Sequence, residues 1–113
     1  MTESDFLTLA DAVLSGIELA LERPDIVDAV DVECSRSGNV LEIEFVDTGS
    51  KIIVNSQAPM REMWVAAKSG GFHYKYDGQQ WRNTRDDSEL YTALSSMISQ
   101  QGGAEISLAM QGD

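Results

Sequence analysis

Cysteine, histidine, proline and positive charge are all scarce in this sequence. Cys34 is the one cysteine and His73 the one histidine, so neither an internal disulfide nor a Cys/His metal cluster can form. That usage fits a reducing compartment. Eight Lys and Arg stand against 19 Asp and Glu, a formal net charge of −11. Such a field repels phosphate backbones and anionic membrane surfaces, and it draws cations or a basic protein patch. Nucleic-acid and membrane partners are therefore disfavoured, although acids that merely keep a small protein soluble would give the same charge. No apolar run reaches membrane-spanning length. The opening MTESDFLTL has neither the basic and apolar regions of a signal peptide nor the Arg-rich character of an organelle-targeting peptide, so a cytoplasmic protein is expected. Catalytic motifs are missing too. There is no G-x-S-x-G, no phosphate-cradling glycine loop and no paired Cys or His, and SGG at 69–71 lacks a following Lys-Ser/Thr. A carboxylate acid–base pair needs one member raised by burial, whereas these acids alternate with apolar residues on exposed faces. The expectation is a binding protein rather than an enzyme.

The residues present suffice for one domain spanning 1–113, with 42% hydrophobic residues and no repeats or linkers. Residues 4–21 read as a helix capped by Thr2 or Ser4 and stopped before Pro24. Phe6, Leu9, Ala10, Val13, Ile17 and Leu21 form its apolar stripe, and Asp11, Glu18 and Glu22 stack along one edge roughly opposite. The adjoining ERPDIVDAVDVE adds Asp25, Asp28, Asp31 and Glu33. A strand at about 29–35 alternates Val30, Val32 and Cys34 inward with Asp31 and Glu33 outward, which favours an inert, buried thiol. Leu41, Ile43 and Phe45 then alternate with Glu42 and Glu44. If the two strands pair, four carboxylates share a sheet face at a cost in stability, which suggests use. Carboxylate-only ligands suit hard cations, and an open ridge implies weak, labile binding; the spacing is not that of a calcium loop.

The central stretch from Lys51 to Trp81 reads as a meander. Runs 51–55 and 60–67 are joined by SQAP. SGG and Asp77–Gly78 punctuate the segment up to Trp81, the latter as a two-residue hairpin turn. On the second run Arg61, Met63, Val65 and Ala67 share one face, leaving Trp64 on the other with Glu62, Ala66 and Lys68. An outward Trp among charges reads as a contact residue. Phe72, Tyr74 and Tyr76 lie opposite His73 and Lys75, and His73 reads as a surface histidine with no acid cluster near it in sequence. A second helix at about 88–101, capped by Asp86 or Asp87, buries Leu90, Tyr91, Leu94, Met97 and Ile98 and stops at QQGG. Residues 105–110 are expected as a last strand or as a tail packed between the helices. The order gives an α+β fold: two terminal helices on one face of an antiparallel sheet of about six strands, the other face wet.

The run GSKIIVNSQAPMREMWVAAKSGGFHYKYDGQQW resembles the signature of the frataxin family, in its bacterial branch. The N-x-Q between strands, P-x-x-x-x-W, K-S-G-G-F-H-Y and D-G-x-x-W carry the likeness. SDFLTLADAV and QQGGAEISL extend it over essentially the whole chain. The resemblance implies a helix–sheet–helix sandwich and a role in iron–sulfur cluster assembly, with ferrous or ferric iron held weakly and reversibly and docking on a cysteine desulfurase–scaffold complex. Carried over to matching positions, it implies an iron ridge of Glu18, Glu22, Asp25, Asp28, Asp31 and Glu33, alongside Asp11 on the same helix edge. It implies partner contacts at Asn55, Gln57 and Trp64. Two departures bear on the ridge, namely Leu19 where relatives often carry a second acid, and fewer consecutive acids in the linker. Self-repulsion favours a monomer; the alternatives are an iron-induced storage oligomer with ferroxidase activity, and an acidic adaptor without a metal role.

Overall fold

Thr2 opens the first helix. Its hydroxyl accepts the backbone N–H of Asp5 at 3.0 Å and the Asp5 carboxylate accepts the N–H of Thr2 at 3.3 Å, a reciprocal cap on α1 (Glu3–Leu21). The computed structural model from which the fold is taken describes residues 1–108. Of the expected stripe, Phe6, Ala10, Val13, Ile17 and Leu21 are buried, and Leu9 packs partly buried against the core.

Six antiparallel strands come next, in a meander whose spatial order is the chain order: β1 (Val32–Ser37), β2 (Val40–Phe45), β3 (Lys51–Gln57), β4 (Glu62–Ala67), β5 (Gly70–Tyr76) and β6 (Trp81–Asn83). Period-two burial sorts each strand. Leu41, Ile43, Phe45, Ile52, Val54, Met63, Val65, Tyr74 and Trp81 enter one core with the stripes of α1 and of the last helix, α3 (Leu90–Gly102). The α+β sandwich expected from the sequence is the fold observed.

Local boundaries differ where turn chemistry outweighs pattern. Pro24 starts a helical turn, α2 (Pro24–Val27), that buries Ile26, so β1 begins at Val32 rather than near 29. Residues 58–60 form a 3₁₀ turn closed by Arg61 at φ 55°, so β4 starts at Glu62 and Met60 is exposed. Asp77–Gly78 is not a two-residue turn. Its loop runs to Gln80, because the Asp77 carboxylate accepts the N–H groups of Gln79 (2.9 Å) and Gln80 (2.7 Å). Those bonds hold its carboxyl below the ordinary 3.8. Helix α3 is capped not by Asp86 or Asp87 but by Glu89, whose carboxylate accepts from the N–H of Tyr91 and Thr92, and Gly103 ends it at φ 76°.

The tail forms no strand as far as Leu108. The hydroxyls of Ser99 and Ser95 accept the N–H of Ile106 and of Leu108, each at 3.0 Å, and the Arg23 guanidinium donates to the carbonyls of Ser107 and Leu108. Leu108 is thereby buried where α1 gives way to α2. Of the stretch 105–110, Ala109 and Met110 lie outside the described residues.

Candidate functional site

The register of β1 against β2 divides the expected ridge into two parts. Val32, Cys34 and Arg36 pair with Phe45, Ile43 and Leu41, all buried, so these three point to the helix side. Glu33 pairs with Glu44 on the open side. Asp11, Glu18 and Glu22 therefore flank the helix-facing side of the sheet edge, and Glu33 stands on the opposite side of the same strand.

The acids also differ in their counterions. Arg36 reaches back from β1 to α1, where its guanidinium pairs with Asp11, lies 3.6 Å from Glu18 and donates to the Ser15 hydroxyl at 2.9 Å. Arg23 pairs with Asp25 at 3.2 Å, and this hydrogen bond is the main reason the Asp25 carboxyl lies below the ordinary 3.8. Among the described residues, Glu22, Asp28, Asp31 and Glu33 have no ion-pair partner. Nor do any three His, Cys, Asp or Glu among them converge closely enough to enclose a metal ion. The arrangement is a string of carboxylates facing solvent, and a cation held there by one or two of them would keep much of its water. Leu19, at the position noted as a departure, is 67% exposed in the middle of it. The sequence does not mark Arg23 and Arg36 as counterions, because nothing in the spacing says that residues 11 and 36 are neighbours.

Cys34 corrects one expectation. It is exposed at the sheet edge, not buried, because among the described residues no strand pairs with the outer side of β1. Its thiol is nevertheless pushed up to about 11, chiefly by desolvation against α1 and further by the charges of Glu18 and Glu22. Relative to the ordinary 9.0 this means about a hundredfold less thiolate at neutral pH. Alkylation by iodoacetamide at pH 8 is expected to be at least about tenfold slower than for a free peptide thiol, and mass spectrometry of timed aliquots checks it.

The open face of the sheet carries the three expected contact residues in adjoining rows. Asn55 pairs with Trp64 and Trp64 with His73, forming one row across β3, β4 and β5; Gln57, Glu62, Lys75 and Arg82 form the next. Trp64 is half-buried, and its indole lies flat on the His73 imidazole, centroids 4.3 Å apart and planes 7° from parallel. Glu62 is only 5% exposed although it belongs to the open face. One of its oxygens accepts the Trp64 Nε1–H at 2.7 Å and lies 3.3 Å from His73 Nδ1, and the other is 3.4 Å from Lys75 Nζ. His73 is exposed, as expected, yet it has an acid beside it. Alternation places Glu62 with Trp64 and His73 with Lys75, but only the cross-strand register brings the two pairs together.

A groove of about 670 Å³ lies elsewhere, between Leu9 and Val13 of α1, Tyr91 of α3, and Tyr76 and Trp81. Among the described residues that line it, the carboxylate of Glu89 is committed to capping α3.

A helix–sheet–helix sandwich with an acidic α1–β1 edge and an outward tryptophan at mid-sheet is the arrangement the frataxin family implies. The family model for the frataxin-like domain matches residues 1–104, and the chain belongs to that family. Within it, the chain is 66% identical over 108 residues to the iron-sulfur cluster assembly protein CyaY of Herminiimonas arsenicoxydans, covering 96% of each chain. It is likewise 66% identical over 110 residues to the CyaY of Janthinobacterium sp. (strain Marseille). The frataxin of Psychromonas ingrahamii superposes with a TM-score of 0.84 at 31% identity, over 96% of this chain and 99% of that one. A trimeric frataxin of the yeast Saccharomyces cerevisiae, complexed with ferrous iron, shares the fold, with a TM-score of 0.63 at 22% identity over 91% of this chain and 88% of the other.

Proposed function

We propose that this protein serves iron–sulfur cluster assembly in the cytoplasm as a non-enzymatic iron-binding regulator. The acidic ridge takes up ferrous or ferric iron loosely, and the open sheet face docks on the cysteine desulfurase–scaffold complex. The observation that carries this reading is full-length similarity, at 66% identity, to CyaY proteins whose name states a role in cluster assembly. The geometry is compatible with both halves of it. Exposed carboxylates without a closed shell suit exchangeable hard cations, and a half-buried indole flanked by Asn55 and Gln57 has the make-up of an interface anchor. The ridge acids also give the complex an electrostatic handle, since a basic patch on the desulfurase would be steered towards a chain of net charge −11.

The decisive experiment titrates the protein into a purified desulfurase–scaffold reaction, with and without added iron, and follows cluster formation. A change in rate that requires iron is the expected result. A change indifferent to iron would leave only docking and reduce the ridge to charge complementarity, as in an acidic adaptor. No change in either arm would overturn the proposal.

A second reading, an iron-storing oligomer, takes its support from the trimeric state of the yeast neighbour. Sedimentation with and without ferrous iron separates the two, because storage requires large assemblies and regulation does not.

A further inference from the structure

Glu62 is the only buried acid of the described residues, and it lies on the face that the helices leave open. Burying a carboxylate is unfavourable unless it is fully partnered. Here the partners are specific: the Trp64 Nε1–H, the His73 Nδ1 and the Lys75 ammonium, which is also 3.2 Å from the Met60 carbonyl. Each comes from a different position on β4 or β5, and the carboxylate touches all three.

We propose that Glu62 is a positioning residue for the docking face. It holds Trp64 and His73 as one preformed, flat aromatic platform, and it cancels the Lys75 charge beside it. The inference rests on the docking role proposed above and adds the group that makes Trp64 competent for it. An unrestrained indole on an open sheet samples several rotamers, and a partner that selects one of them must supply the ordering cost itself. The 2.7 Å bond fixes χ for the indole, and stacking at 4.3 Å fixes the imidazole over it. The platform is then ordered before the partner arrives. The charge arrangement has a second effect. With Glu62 in place, Lys75 is already paired, so the centre of the face presents ring surface and the amides of Asn55 and Gln57 rather than a net charge.

Two substitutions separate positioning from direct contact. Glu62→Ala removes the acceptor, and Glu62→Gln keeps an acceptor oxygen for the indole while losing the charge. The first readout is the Trp64 Nε1–H resonance in a ¹H–¹⁵N spectrum, assigned with Trp64→Phe, together with its exchange with solvent. The second is affinity for the desulfurase–scaffold complex, with circular dichroism confirming the fold of each variant. Glu62→Ala is expected to shift the resonance, to speed its exchange and to weaken binding by about tenfold, within the range of a lost interface anchor. Glu62→Gln is expected to restore the protected resonance and most of the affinity. If Glu62→Ala weakens binding while the resonance stays unchanged, Glu62 touches the partner directly and positioning is overturned. Positioning is equally overturned if the resonance shifts and affinity does not, provided Trp64→Ala itself weakens binding. If Trp64→Ala leaves affinity unchanged, the docking reading is what fails, and the positioning inference falls with it.

Discussion

Trp64→Ala is expected to weaken binding to the cysteine desulfurase–scaffold complex by at least about tenfold, while thermal stability and iron titration stay close to those of the parent. Truncating a central aromatic anchor commonly costs about 2 kcal/mol or more of binding free energy. The fold should tolerate the change because Trp64 lies off the helix-side core, and removing the indole from the open face lets water replace the donor that Glu62 loses. Its neighbours Met63 and Val65, at 0% and 2% exposure, fill that core from the same strand. Iron uptake should be untouched, because Trp64 lies on β4, three strands from β1 and the ridge acids. Isothermal titration against the complex, run beside a melting curve, checks both halves. Unchanged affinity would remove the open face from the docking role.

Phe6→Ala is expected to have the opposite profile, a large loss of stability with little direct effect on either surface. Phe6 is fully buried and meets Trp81 edge to face, with ring centroids 5.9 Å apart. Trp81 is in turn tilted against Tyr76 at 5.2 Å, so the first helix is tied to the last strand through aromatic contact. Removing a buried phenyl ring typically costs about 3–5 kcal/mol, because the cavity closes only in part. At this chain length each kcal/mol lowers the melting temperature by roughly 4 °C, so a drop of about 12–20 °C is expected by calorimetry. A shift of only a few degrees would mean that the site collapses around the missing ring.

Much of this architecture is written in the periodicity. The spacing of Phe6, Ala10, Val13 and Ile17 identifies α1 and its buried stripe, and alternation of Leu41, Ile43 and Phe45 identifies β2 and its inner face, because burial on one side of a regular element leaves a period of 3.6 or 2. The same logic places Trp64 outward. Capping is less legible. Asp86, Asp87 and Glu89 are all acids within one short loop, and which of them caps α3 depends on backbone angles such as the φ of 66° at Asp87. Alternation misplaces Cys34 because it reports which side of a strand a residue takes, not whether the strand has a neighbour; at an edge, even the inner side meets solvent. The partners of Glu62, and the Arg36 bridge to Asp11 and Glu18, are invisible in sequence because they depend on register and on how a helix lies over a sheet. No pattern within one segment encodes either. The family resemblance implies contacts at Asn55, Gln57 and Trp64, and only the structure shows that these three residues occupy neighbouring places on one face.

β1 forms one margin of the six-stranded sheet. An edge strand offers a row of backbone donors and acceptors to any passing strand, and unprotected edges invite copies of a protein to add on to one another. At the other margin β6 is only three residues long. The six-residue β1 is the larger hazard; it carries Glu33, follows directly on Asp31, and lies close enough to Glu18 and Glu22 for their charges to act on Cys34. A second molecule approaching edge to edge would bring its own acids against these, and the like charges would oppose the pairing. The carboxylates thus act as a guard against fibre-like growth, one whose strength depends on what neutralises them. Salt screens such a guard, and multivalent cations or low pH remove it, so the carboxylates proposed to take up iron would also be the ones that keep copies of this protein apart.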